Sequence, residues 1–264
     1  MSQQPNDRLH ILYLPKWYPH KYDPRPGLLI ERHGISALPH CDISVLYVHA
    51  DEHQKKCGYN FDYSEDDTLN TIRIYYKRAN TGFKPLDTVI NTCRFFRSHR
   101  KGLKKIREKY GNFDIIHVHV LTRHGVIALM QKIFKGIPYV ITEHWTRYLA
   151  STNTFNGALR KFMTRIVARR ASAIMPVTAN LRDAMIDCGL KNNNYVIIPN
   201  VVDMKMFYPD LEKKPEEKKR IIHVSCFEDK QKNISGILKV IKRLSENRGD
   251  FTCEMIGDGI HYDI

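Results

Sequence analysis

The sequence has no closely spaced cysteine pair. Cys41, Cys57, Cys93, Cys188, Cys226 and Cys253 are scattered along the chain. That excludes a zinc knuckle and a vicinal redox pair and suits a reducing compartment. No stretch reaches the roughly 18 uninterrupted apolar residues of a membrane-spanning helix. Residues 1–7 are polar and carry no signal-peptide core. A cytoplasmic protein is expected, with peripheral attachment at the inner face of the membrane left open. There is no Gly-x-Gly-x-x-Gly fingerprint and no phosphate-loop Gly-Lys-Ser. Internal repeats and low-complexity tracts are also missing. Acidic residues are few: 28 Asp plus Glu against 42 Lys plus Arg, for a net charge of +14.

What is present is ordinary globular material. With 42% hydrophobic and 27% charged residues over 264 positions, the chain is not a disordered one. It fits one large domain or two smaller ones. The positive excess attracts anions, whether nucleic acid, acidic lipid headgroups or phosphorylated ligands. It ranks partners without choosing among them. No RNA-recognition signature or helix-turn-helix pattern supports nucleic acid, so no nucleic-acid partner is expected.

Apolar runs alternate with amphipathic stretches. Strands are expected at 9–14, 42–48, 71–76, 114–120, 139–142, 173–177 and 195–198. Helices are expected at 28–38, 89–110, 126–134, 155–171 and 179–188. Val89, Cys93, Phe96, Leu103, Ile106 and Tyr110 would form the apolar stripe of the long helix, which Gly102 weakens locally. Phe155, Leu159, Phe162 and Ile166 would form that of the 155–171 helix. Residues 51–70 read as polar and irregular. Thr178 is placed to cap the helix that follows it, and Gly189 to end it. This alternation predicts a parallel sheet covered on both faces, a doubly wound α/β domain over 1–204. Residues 205–219 are a charged linker. Beyond it the alternation restarts, with strands at 221–225 and 251–256 and a helix at 234–244. One strand-helix-strand unit cannot cover its own sheet, so 220–264 reads as the opening of a second, truncated nucleotide-binding-type domain.

Ligands of such sheets bind beyond the carboxyl ends of the strands, and the candidate residues lie there. The loop 16–27 joins a strand to a helix and reads either as a plain surface loop or as one whose backbone N–H groups face a diphosphate; Gly27 permits close backbone approach. Glu143, His144 and Trp145 follow another strand, His144 suited either to a sugar hydroxyl or to a structural bond with backbone, and Trp145 to a sugar face. His117 and His119 share one strand face and could ligate a metal with Glu143 or His144; no carboxylate pattern joins them, so the structural reading is the stronger, with either histidine still free to line a cleft. Asn200 and Asp203 are turn formers after 195–198. Lys232 precedes a helix, a natural place to neutralise phosphate, and Gly257 and Gly259 flank the end of the last strand. The segment 94–109 carries Arg94, Arg97, Arg100, Lys101, Lys104, Lys105, Arg107 and Lys109 against Glu108 alone. It suits either an anionic membrane surface or a solvated helix face.

Six segments, in order, resemble family 4 glycosyltransferases. They are 113–119 (FDIIHVH), 138–144 (PYVITEH), 177–181 (VTANL), 198–203 (IPNVVD) with Phe207 and Pro209, Lys232, and 256–259 (IGDG). The resemblance implies a GT-B fold, two facing domains with the active site between them. It also implies retaining transfer from a nucleotide-diphosphate sugar, with no cofactor and no required metal. By position, His144 would be the catalytic contact to the donor sugar. Gly27 would lie by the diphosphate and Lys232 would neutralise it, with Asn200, Glu143 and Trp145 also binding substrate. Cys226 stands where the family has an arginine and Val201 where it has a glycine. The family's later glutamate pair has no counterpart before Ile264. The expectation is a glycosyltransferase of cell-surface glycan or polysaccharide synthesis, acting on a glycan or lipid-linked acceptor, with this chain alone inactive or nearly so. A nucleotide-sugar epimerase of the same fold, or a non-catalytic glycan- or nucleotide-binding module, are the alternatives.

Overall fold

A computed structural model of the chain describes residues 8–64, 69–152, 154–209 and 218–260. The chain divides into two compact units, Met1–Asp203 and Met204–Ile264. Residues 1–7 and most of the charged linker (210–217) lie outside the described residues.

The larger unit is built on a seven-stranded sheet. Its strands are β1 (His10–Pro15), β2 (Asp42–Asp51), β3 (Tyr59–Ser64), β4 (Asn70–Lys77), β5 (Ile115–His119), β6 (Tyr139–Glu143) and β7 (Ala173–Pro176). The order across the sheet is β3-β4-β2-β1-β5-β6-β7. All pairs are parallel except β3 with β4. The helices are α1 (Leu28–Ala37), α2 (Lys84–Tyr110), α3 (Arg123–Lys135), α4 (Ala158–Arg170) and α5 (Ala179–Asp187). The strands are apolar on both faces because both are covered. Leu12 and Leu14 of β1 join Leu46, Ile74, Phe95, Leu103, Ile127 and Val167 in one core. Tyr13, from the same strand, packs on the opposite side with Tyr18, Ile30, Val45 and Tyr47.

The structure corrects several expectations. Residues 51–70 are not wholly irregular: they hold β3, an antiparallel edge strand whose Asn60 is exposed and whose Phe61 is half-buried. Helix α2 begins at Lys84, with a proline in its first turn where the missing N–H costs nothing. Its buried stripe is Phe95, Ser98, His99, Gly102, Leu103 and Ile106, while Val89 is 59% exposed. The stripe is displaced because the small residues set the contact. A Cβ at Gly102 would lie 2.3 Å from Leu46 Cδ1 and 2.9 Å from Ile74 Cδ1. The glycine that weakens the isolated helix is thus where α2 lies against β2 and β4. Helix α4 starts at Ala158, after the buried Phe155, and buries Val167 and Ala168. Leu159 and Phe162 stay outside because only the carboxyl-terminal half of α4 meets the core. Residues 194–198 make hydrogen bonds along the β7 edge (Ile174 N–H to Asn194 O, Val196 N–H to Ile174 O, Ile198 N–H to Pro176 O). They form a single bridge there rather than a strand. The Thr178 cap is present, its hydroxyl accepting from Leu181 N–H.

The smaller unit pairs β8 (Lys219–Val224) in parallel with β9 (Phe251–Ile256). Between them run a single turn, α6 (Asp229–Lys232), and α7 (Ile234–Ser245). Asn233, in the left-handed region at φ 52°, separates the two helices. Ile222, Val224 and Ile256 are each at least half exposed, since one helix covers one face of two strands.

Candidate functional site

The carboxyl ends of β1, β5 and β6 meet in the larger unit. Lys16 N–H donates to His119 O at 3.1 Å and Val120 N–H to Thr142 O at 2.9 Å. These bonds tie the three outgoing loops together. Gly27 ends the first loop at φ 78°, and a Cβ there would lie 2.2 Å from Trp17 O. Only glycine lets the start and finish of this loop touch, so the loop is a closed, rigid turn above the sheet.

Four imidazoles gather over these strand ends. His117 and His119 do share a face of β5, their rings stacked 4.0 Å apart, with Tyr13 against both. His119 Nδ1 lies 3.4 Å from His144 Nε2, and His144 Nδ1 lies 3.2 Å from Asn200 Oδ1. His33 of α1 reaches the same Asn200 oxygen at 3.4 Å. Asn200 therefore joins the 194–200 segment to β6 and α1. His117 shares a 2.7 Å hydrogen bond with Thr142 Oγ1. Burial holds the imidazoles neutral: His144 is lowered to about 4 and His117 to about 3, and His119 and His33 are also lowered. With Asn200 Oδ1 as acceptor, His144 Nδ1–H donates to it and His144 Nε2 accepts from His119 Nδ1–H. His144 is a fixed, uncharged hydrogen-bonding group. Among the described residues, no group of three or more His, Cys, Asp or Glu side chains is placed to hold a metal ion.

Glu143 faces inward and is fully buried. Its oxygens accept from Leu121 N–H at 2.9 Å and Trp145 N–H at 2.8 Å. Burial raises its carboxyl to about 7, and those amides oppose the rise. It stitches the β6 turn to the β5 turn rather than lining an open surface. Trp145 stands 5.4 Å from Trp17. Lys16 Nζ lies 3.3 Å above the Trp145 ring, and the Arg147 guanidinium 4.3 Å from it. The ring expected to stack on a sugar carries cations here. Lys232 lies in the smaller unit, exposed at the end of α6 and just ahead of the α7 N-cap.

So Gly27, Glu143, His144, Trp145 and Asn200 share one end of the larger unit. His33, Lys16 and Arg147 join them without having been singled out in the sequence. For Lys16 a signal existed, since it is the first residue past a strand. Separately, a polar cleft of about 910 Å³ opens beyond β2 and β4, lined by Tyr76, Arg78, Lys84, Asp87, Asn91 and Arg123 among others.

This architecture has close counterparts. Sucrose-phosphate synthase from Thermosynechococcus elongatus superposes with TM-score 0.60 at 14% identity, over 95% of this chain and 62% of that one. Anabaena HepE, solved in complex with UDP, gives 0.57 at 13% identity, over 96% and 62%. Both share the α/β, GT-B-type fold. The phosphatidyl-myo-inositol mannosyltransferase of Mycolicibacterium smegmatis is 26% identical over 165 residues, 61% of this chain and 40% of that protein. The chain thus spans less than half of this curated relative. Residues 44–205, which contain β5, β6, the histidine cluster beyond His33 and Asn200, match Glycosyltransferase Family 4. The chain belongs to that family.

Proposed function

We propose that this chain supplies the acceptor-side lobe and the opening of the donor lobe of a retaining glycosyltransferase. The donor is a nucleotide-diphosphate sugar and the acceptor a glycan or lipid-linked glycan of the cell surface. The observation that carries this reading is the neutral His144, fixed by His119 and Asn200 at the strand ends of a family 4 domain. Exchanging either of these two hydrogen bonds for one to a sugar hydroxyl keeps the imidazole neutral and adds no charge beside the reacting carbon. Gly27 closes the loop beneath the diphosphate, and Asn200 and Glu143 hold the frame. Trp145 borders the substrate, and Lys232 offsets charge on the leaving nucleotide. Supporting the donor class, Anabaena HepE was solved with UDP and an E. coli trehalose-6-phosphate protein with UDP-2-fluoro glucose. No metal or other cofactor is invoked. Because the chain spans 62% of the HepE chain, the complete activity is assigned to a longer protein, and the chain alone is assigned little or none.

The test uses that longer protein with a panel of nucleotide sugars and glycan or lipid-linked acceptors, product and anomeric configuration being read by mass spectrometry and NMR. Transfer with retention is expected, and His144→Ala lowers kcat by about a hundredfold or more. Undiminished turnover in that variant removes the role given to His144. Isomerised nucleotide sugar without transfer replaces the reading with an epimerase. Nucleotide-sugar binding with no turnover of any acceptor makes it a binding module.

A peripheral cytoplasmic-face location is a second element of the proposal. The basic row of α2 from Arg94 to Lys109 supports it, as do the exposed Ile133, Phe134, Leu159 and Phe162 of α3 and α4. Among the described residues, no helix is long and apolar enough to cross a membrane.

A further inference from the structure

Arg147 is a buried cation without an acceptor. It stands in the short helical turn Thr146–Tyr148 after β6 and is 7% exposed. Rings cage its guanidinium, with centroids at 4.3 Å for Trp145, 5.9 Å for Tyr148 and 5.8 Å for Phe155. These contacts return part of the lost hydration. Among the described residues, however, its side chain donates no hydrogen bond and forms no ion pair, and its Nε is wholly enclosed. The neighbouring Tyr148 hydroxyl is likewise enclosed and without a partner. A buried charge and a buried hydroxyl left in this state are both destabilising.

Both residues line one pocket of about 290 Å³, together with Phe155, Lys161, Arg165 and Asp187 among others. Lys161 and Arg165 stand one turn apart on α4, and Asp187 closes α5. Because α5 runs back from the carboxyl end of β7, its last turn lies down the flank of the sheet, away from the strand tips. Arg165 donates from Nε and Nη2 to Cys188 O at 3.1 and 2.9 Å. That offsets the negative end of the α5 dipole and leaves further guanidinium N–H groups over. Three cations against one carboxylate leave the pocket a surplus of two positive charges. The surplus matches the dianion of a phosphate monoester, not the single charge of a carboxylate. Guanidinium groups suit phosphate oxygens, and the volume is at the small end of ligand sites. We propose that this flank pocket binds a small phosphate monoester, with Arg147 carrying its occupancy to Trp145 at the strand ends. The site does not depend on the transfer reading above.

Trp145 emission reports occupancy with no turnover required, so failure here and failure of glycosyl transfer are separate results. The protein contains two tryptophans, and Trp17→Phe leaves Trp145 as the reporter. In that background the chain is titrated with inorganic phosphate, glycerol phosphate and acetate at constant ionic strength. Both phosphates are expected to give a saturable change, and acetate to bind about tenfold more weakly or less. Lys161→Gln weakens phosphate binding by about tenfold, and Lys161→Arg, which keeps the charge, restores it. Lys161 makes no hydrogen bond to a described residue, so both variants fold. Arg169→Gln, the same charge change at the far end of α4, leaves binding unchanged, as does Lys16→Gln on the strand-tip side of Trp145. No saturable response to either phosphate overturns the site, and so does undiminished binding in Lys161→Gln. Acetate binding as tightly as phosphate overturns the ligand class. A loss in Lys16→Gln as large as that in Lys161→Gln puts the anion at the strand tips and overturns the flank pocket.

Discussion

Mild acid should destabilise the larger unit, through histidines that the fold keeps uncharged. His99 is buried on α2, its Nδ1 2.9 Å from Phe95 O, and burial holds it at about 4. His124 packs 5.2 Å from it, ring to ring. Burial holds His124 well below the usual range, with His99, Arg123 and Lys16 adding to the effect. His119 is lowered by burial and by His117, His144 and His33. Below about pH 6.5 each of these three takes a proton in the unfolded chain but not in the folded one. Stability is therefore lost as pH falls through that value. Glu143 acts in the opposite sense. Its folded value of about 7 lies above the unfolded 4.5, so between those values the folded state holds the extra proton and acid favours it. His117 and His144, held at about 3 and about 4, behave likewise, so five protons against one leave a net four on the unfolded side, about 5.4 kcal/mol per pH unit. From pH 6.5 to about 5 the loss is about 7 kcal/mol, a large share of the roughly 5–15 kcal/mol typical of a domain. Urea midpoints followed by tryptophan emission across this window measure it. Glu143→Gln steepens the fall by one proton, and His99→Phe, which keeps a ring in the same space, makes it shallower by one. A midpoint that stays flat or rises on acidification across the window refutes the reasoning.

Two further outcomes follow from packing and from surface charge. Gly102→Val should cost about 1–3 kcal/mol, read as a lowered urea midpoint, because the new side chain enters the space of Leu46 and Ile74; an unchanged midpoint would mean that α2 does not lie so close to the sheet. The protein should co-sediment with anionic vesicles, and replacing Arg97, Arg100, Lys101 and Lys104 together by Gln should weaken binding, each well-placed cation contributing about 1 kcal/mol. Equal binding to neutral vesicles refutes that attachment.

Much of the frame was legible in the sequence because its signals are local. β1, β5 and β6 are short apolar runs, Thr178 caps the helix it precedes, and Gly189 lies past the end of α5. The pairing of His117 with His119 follows from strand alternation alone. Other features depend on partners distant in the chain. The burial of α2 turns on Gly102 meeting Leu46 and Ile74, a contact that no helical periodicity contains. Strand β3 is hidden by polar alternation, since Asn60 and Asp62 interrupt its aromatic residues at an open edge. Lys16 and Arg147 meet at the Trp145 ring from distant parts of the chain, and His33 reaches Asn200 across 167 positions. Only topology brings them together.

Val120 has a φ of 71°, which a β-branched residue adopts only under compulsion. It is fully buried, and the amide of the next residue, Leu121, donates to Glu143. The tension of this single turn is thus anchored by the carboxylate next to His144. Any event that withdraws Glu143 from the Leu121 amide slackens the anchor and lets the turn relax. The β5 and β6 loops are in this way coupled like a spring and its catch, and what disturbs one is felt by the other.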